Sequence, residues 1–462
     1  MVQRETKYFL IAVIGTTINI TAYVGLLDLQ SSIHISHNLG TTSLSITFGC
    51  GLLLSLFVTP LLLCNLGAKW TLILGEFGFS VLTLANFYPG YVTIIPGSIA
   101  GSMGESFVWT ASQVYVANLF LHRPADNEHD ADSNGEITDL WFGRFFGILK
   151  TCVIWANLIS YGVLYGFKSS SISNFTNGNY SNCASNFCYA TTKHGSGSYI
   201  PHNRNSLYIL LGVYLVLQLF SVCLHVFYLE PAERSAAHIP NSTTVVRTSI
   251  LNIISSSVKS TAYHLTSTDQ ILMTPIIFYY GFMVSYSLSD FTRAFVSCTL
   301  GVEEVGLVMA IYGVFNATMG FGAGKASHMF GLPIVYIVTC SFDIGNYVVQ
   351  LLFRPEVATR YWVFALAAML GTSDGIWQTV ISISEIVYFR DRLELAFAGV
   401  SFWQVLAMTV GFIMSGRVCL KIRLILLISN VVLGCFGYGI TETKRRNTRN
   451  YLSEENEPIL ES

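Results

Sequence analysis

Twelve stretches of about twenty mostly apolar residues dominate this chain, at roughly 8–27, 42–64, 70–87, 97–120, 142–166, 207–228, 269–288, 305–322, 333–353, 361–387, 395–415 and 422–440. A helix of about 20 apolar residues crosses a hydrocarbon core of about 30 Å. Lipid offers no partner to an open backbone group, so spanning segments are helices or closed barrels. These stretches are too long for barrel strands of about 9–11 alternating residues. The expected fold class is therefore an all-α membrane protein with twelve transmembrane helices. Only 11% of the residues are charged and 52% are hydrophobic, against about 25% charged in soluble domains. Arg4 and Lys7 precede the first span, which is longer than the apolar part of a secretory signal and lacks an A-x-A site after it. It is expected to be a permanent helix.

The basic residues set an expected orientation. With both termini in the cytosol, fifteen Lys and Arg fall on the cytosolic face and nine on the other, leaving Lys150 inside a span. The loop at about 168–206 then lies outside, where Asn174-Phe-Thr and Asn179-Tyr-Ser are acceptor sequons for N-glycosylation. Cys183 and Cys188 share that loop and are a candidate disulfide. The other cysteines, mostly within spans, read as apolar filler.

A long cytosolic segment at 229–268 separates six spans from six. Expected units are thus an N-terminal bundle (1–228), the interbundle loop, a C-terminal bundle (269–440) and a cytosolic tail (441–462). Two features repeat between the bundles. Leu66-Gly-Ala-Lys69-Trp, after span two, corresponds to Gly322-Ala-Gly-Lys325-Ala, after span eight; both read as tight cytosolic turns. Span four carries GESFVWTASQVY from Gly104, and span ten carries SDGIWQT from Ser373. Parallel repeats of this kind are expected of major facilitator-type transporters, whose site lies near the midplane between the halves.

Further residues carry a family resemblance: Leu27-Asp-Leu-Gln30-Ser31-Ser32-Ile33 in span one, Trp109-Thr110-Ala in span four, Trp155-Ala-Asn157-Leu-Ile-Ser160 in span five and Asp374-Gly-Ile-Trp377-Gln378-Thr379 in span ten. Together these resemble the uncoordinated-93-like family of ion channel regulatory proteins, a branch of the major facilitator superfamily. The chain departs from the family's usual pattern in span five, with Ala156 before Asn157 and with Lys150 where Gln is usual. The resemblance implies a glycosylated twelve-span protein that regulates or escorts other membrane proteins such as potassium channels. The plasma membrane is the expected host, in preference to endosome or lysosome.

An ionisable group at a helix centre costs about 2.5–3.5 kcal/mol on insertion scales. By analogy with major facilitator folds, spans one, four, seven and ten line a central cavity. That analogy collects Asn19, Glu105, Trp109, Gln113, Tyr280, Asp374, Trp377 and Gln378. Glu105, Trp109 and Gln113 share one helical face at i, i+4, i+8, and Asp374, Trp377 and Gln378 at i, i+3, i+4. Two readings stay open for them: lining a cavity, or cross-linking helices. Glu76 and Asp343, on spans three and nine, are expected to be cross-links, and Lys150 to snorkel towards the cytosolic end.

The segment Asp130–Trp141 has oxygen ligands at positions one, three and five and Gly135 at six of an EF-hand loop, yet Trp141 stands where the bidentate Glu belongs. It is read as a solvated acidic loop rather than a calcium site. Glu455 with Ile459-Leu460 in the tail loosely matches an acidic dileucine sorting signal. No catalytic motif or paired CxxC occurs, so no enzyme activity, cofactor, metal or nucleic-acid partner is expected. The expected partners are the lipid bilayer and another membrane protein. The alternative function is a secondary transporter of a small solute, proton-coupled through Glu105 or Asp374.

Overall fold

The computed structural model describes residues 2–33, 39–121, 130–166, 183–188, 204–231, 259, 263–300, 304–354, 360–415 and 417–455. Among these the regular structure is wholly helical. In chain order the α-helices are α1 (Val2–Ile33), α2 (Leu39–Phe57), α3 (Thr59–Ala85), α4 (Tyr91–Leu121), α5 (Asp130–Leu149), α6 (Thr151–Gly166) and α7 (Arg204–Tyr228). After these come α8 (Thr268–Tyr286), α9 (Val305–Phe330), α10 (Leu332–Leu352), α11 (Arg360–Tyr388), α12 (Leu393–Met414) and α13 (Leu420–Glu455). A π-helical stretch, Ser287–Ser297, continues α8.

Nine described segments are long and apolar enough to cross a membrane. The helices that carry GESFVWTASQVY and SDGIWQT, α4 and α11, are not among them. Their Glu, Asp, Gln, Ser and Thr residues lower the mean hydropathy of the very helices that hold the central polar groups.

Helix boundaries differ from the sequence expectation at several places, three of which bear on the motifs singled out above. The turn expected at Gly322–Lys325 lies inside α9, and the chain instead reverses at Gly331, with φ 80° and ψ 153°. Gly67, after span two, has nearly the same conformation, φ 82° and ψ 169°. A left-handed φ of this kind is strained for any residue with a Cβ. The glycines of the 320–324 segment serve close packing instead: a Cβ on Gly320 would lie 2.9 Å from the Gly147 nitrogen, and one on Gly143 2.8 Å from the Gly324 Cα. These contacts press α5 against α9.

The second difference is the acidic segment. Residues 130–141 wind as the first turns of α5, so their backbone is helical and not a calcium-binding loop. The third is span five, which a turn at Lys150 divides into α5 and α6.

The disulfide pairing also differs. Cys183 bonds Cys298 and Cys188 bonds Cys419, so the candidate Cys183–Cys188 pair is not formed. Ala184–Asn186 form one turn of 3-10 helix between the two cysteines, and the Leu420 N–H donates to the Phe187 carbonyl at 3.1 Å. The segment is thereby laid on the ends of the helices that follow residue 263, where each thiol meets a distant partner. Cys298 and Cys419 are therefore not filler. Asn174 and Asn179 lie outside the described residues, as does the tail motif at Ile459-Leu460.

Candidate functional site

The centre of the molecule is organised by one cation. Lys150 stands at the break between α5 and α6, and its side chain runs inwards; the residue is only 6% exposed. Its Nζ is 3.0 Å from Asp374 Oδ1 of α11 and donates to the Tyr280 hydroxyl of α8 at 3.1 Å. The ring of Trp109 on α4 lies 6.0 Å from the same ammonium. The expected snorkelling to a membrane face is thus corrected: burial is accepted because a counter-charge and a hydroxyl receive the ammonium.

Asp374 is held from every side. The Tyr280 hydroxyl donates to Oδ1 at 2.7 Å, and Oδ2 accepts from the Tyr312 hydroxyl at 2.6 Å and from the Asn316 amide. Charge-assisted bonds of this kind are about twice as strong as neutral ones. Two glycines make the approach geometrically available. A Cβ on Gly371 would stand 2.2 Å from the Tyr312 carbonyl oxygen, and one on Gly375 2.2 Å from that of Asn316. With no side chain at either position, α11 closes on α9 and the carboxylate between them reaches both donors.

Gln113 joins the same region. Its Oε1 accepts from Ser382 Oγ of α11 at 2.7 Å, and its Nε2 donates to the Trp109 carbonyl at 3.0 Å. Gln378 is buried one turn before Ser382, and its backbone carbonyl accepts from that hydroxyl. Glu105 is also buried, beside Tyr23 of α1 and Trp109, and its Oε2 has no hydrogen-bond partner among the described residues. The structure therefore groups Lys150, Asp374, Tyr280 and Trp109, with Gln113 tied to α11 through Ser382 and Glu105 one turn of α4 away from Trp109.

Two residues of the expected central set are placed elsewhere. Trp377 is completely buried on the flank of α11, where its Nε1–H donates to Asp343 of α10. The i+3 step from Asp374 turns it towards α10 instead of towards Lys150. Asn19 faces α7 and donates to the Gln218 carbonyl at 3.5 Å. Both residues belong to helix seams.

Asp343 and Glu76 are cross-links between helices, as expected of them. Asp343 accepts from Tyr279 at 2.7 Å, from Trp377 Nε1 and from Ser373, and Tyr279 in turn meets the Tyr347 hydroxyl at 2.8 Å. Glu76 of α3 accepts from Ser221 at 2.9 Å and lies 2.9 Å from His225 Nδ1, both on α7. The other ring nitrogen of His225 is 3.2 Å from the carbonyls of Ile11 and Ala12 on α1.

Sequence reasoning missed several buried groups. Arg423 is 1% exposed and pairs with Asp290 in the π-helical stretch. Its guanidinium also donates to the Gly411 carbonyl at 2.7 Å and to Ser285 at 2.8 Å. Its position at the start of an apolar stretch, 422–440, was the available signal. His225 and Glu385 were missed too, each a titratable group near the end of a span.

Three comparisons place the molecule. The human organic anion transporter MFSD10 (TETRAN), a crystal structure, superposes with a TM-score of 0.61 over 94% of this chain and 99% of its own, at 11% identity. The fold is accordingly of the major facilitator type. Protein unc-93 homolog A of Xenopus laevis is 28% identical over 443 residues, covering 95% of this chain and 93% of that protein. The putative potassium channel regulatory protein unc-93 of Caenorhabditis elegans is 24% identical over 423 residues, covering 90% of this chain and 58% of the nematode protein. Residues 31–438 match the family described as ion channel regulatory protein UNC-93, and the chain belongs to that family.

Proposed function

We propose that this protein regulates or escorts other membrane proteins, potassium channels among them, and works by binding, without chemistry of its own. Family membership supports this reading, and one structural observation carries it. The central acid, Asp374, has both oxygens occupied by Lys150, Tyr280, Tyr312 and Asn316 of the same chain. Leaving one member of a buried charge pair unpaired costs about 3–5 kcal/mol. A centre satisfied by its own side chains suits a scaffold whose outer surface meets partners, and offers little free capacity to a cargo.

The arrangement that goes with this function is twelve spans in two six-helix bundles, 1–228 and 269–440, with both termini in the cytosol of a plasma-membrane protein. The matched left-handed glycines, Gly67 and Gly331, support the repeat. The lysine and arginine bias supports the orientation, and glycans on Asn174 and Asn179 would mark the outer face.

A second reading, a proton-coupled carrier of a small solute, is favoured by the unpartnered Glu105 oxygen beside Trp109. One pair of measurements separates the two. Co-expression with a panel of potassium channels should change current density or surface abundance, and the affected channel should co-purify. Purified protein in liposomes should show no solute flux. Flux that is lost on Glu105→Gln, with no effect on any channel, would reverse the order of the two readings.

A further inference from the structure

Glu385, near the end of α11, is 0% exposed, and neither of its carboxyl oxygens has a hydrogen-bond partner among the described residues. Every other fully buried acid described above has found one: Asp343 has Ser373, Tyr279 and Trp377, and Glu76 has Ser221 and His225. An ionised carboxylate without a partner in a low-dielectric interior is heavily penalised, and such a group takes up a proton instead. In a transmembrane helix an ionisable residue of this kind marks function by default.

Aromatic rings and one imidazole surround this end of α11. From α10, the Tyr336 hydroxyl approaches this part of α11 but exchanges its hydrogen bond with Ser384, 3.0 Å away, and from α13 Tyr438 stacks on the Tyr336 ring. One turn beyond Glu385, Phe389 packs edge-on against His264, which lies beside Arg392 and Gln270 at the end of the bundle. In the other direction Asp374, Gln378, Ser382 and Glu385 stand at i, i+4, i+8 and i+11, all buried along one stripe of α11 about 16 Å long. The stripe ends on the Lys150–Asp374 pair.

We propose that Glu385 is a proton-binding site: it carries one proton as a neutral carboxyl group and exchanges it with water at the His264 end of α11. Loading forms the carboxyl O–H bond with a proton taken from water, and unloading returns that proton to water. The buried polar positions of α11 run from Glu385 inwards to Asp374. This site is independent of whether the protein serves a channel.

The test is infrared spectroscopy of the full-length protein in lipid at neutral pH. Wild type should show a protonated-carboxyl C=O band that shifts in heavy water. Glu385→Gln, an isosteric neutral amide, should lose that band while keeping the wild-type melting temperature; Glu105→Gln serves as the control for the other under-satisfied acid. Retention of the full band in Glu385→Gln would overturn the proposal. So would absence of the band, or of its heavy-water shift, in wild type. Collapse of Glu385→Gln would overturn it as well, since a neutral amide would then have failed to stand in for a neutral acid.

Discussion

Lys150 and Asp374 are 224 residues apart in sequence and 3.0 Å apart in space. The lysine occupies the break between two helices of the chain's first part, and the aspartate sits mid-helix in its second part. Their contact joins helices on either side of the long segment after α7. Because Tyr280 touches both members and Tyr312 and Asn316 brace the acid, the pair is a fixed point of the structure.

Replacing one member should therefore be far worse than replacing both. Lys150→Met or Asp374→Leu alone should destabilise the purified protein by about 3–5 kcal/mol, whereas the double variant should recover most of the loss. Melting temperatures in detergent give the comparison. Equal and additive losses would mean that the charges do not depend on one another.

The glycine seam makes a second prediction. A methyl group at Gly371 or Gly375 would meet a backbone carbonyl oxygen at 2.2 Å. Neither the helix backbone nor a carbonyl can step aside cheaply, so Gly371→Ala and Gly375→Ala should each cost about 1–3 kcal/mol. Gly345, on α10, has nothing within 4 Å of its Cβ position, and Gly345→Ala should be tolerated. Thermal unfolding of the three variants side by side tests the contrast.

Disulfide mapping offers a third. Digestion without reductant should yield peptides linking Cys183 to Cys298 and Cys188 to Cys419, and none linking Cys183 to Cys188. Removing either bridge by a paired Cys→Ser change should cost about 2–4 kcal/mol.

A fourth concerns pH. Burial, and after it the charge of Arg392, pull the His264 imidazole from 6.5 down to about 4. The unfolded chain then binds a proton that the folded one refuses between those values. Stability should be fully present above about pH 6.5 and fall as pH drops towards 4. His264→Gln should flatten that part of the melting-temperature profile; an unchanged slope would show that other groups set it.

Nine spanning segments were legible because each is a local property of about twenty consecutive residues. Glu76, Glu105, Asp343 and Asp374 were legible for the same reason, since a charge stands out in the middle of an apolar run. Which partner each acid takes was not, because partners such as Lys150 for Asp374 come from helices brought together only by the tertiary fold. Trp377 shows the limit of helical spacing: Asp374 and Trp377, i and i+3, are near neighbours on a helix surface, yet Asp374 meets Lys150 and Trp377 meets Asp343 of α10. Glycines misled in a further way. The stretch Gly322–Lys325 looked like a turn, but Gly324 within it admits α5 at Gly143, while the reversal belongs to Gly331.

The paired bridges from the short Cys183–Cys188 segment alter how the polypeptide is connected. A chain normally holds its parts in series, so one cut between α7 and α8 would part them. Here Cys183–Cys298 and Cys188–Cys419 close a covalent circuit that bypasses that stretch altogether. A molecule nicked there would still travel as one species on a gel and come apart only once a reductant cleaved both bridges.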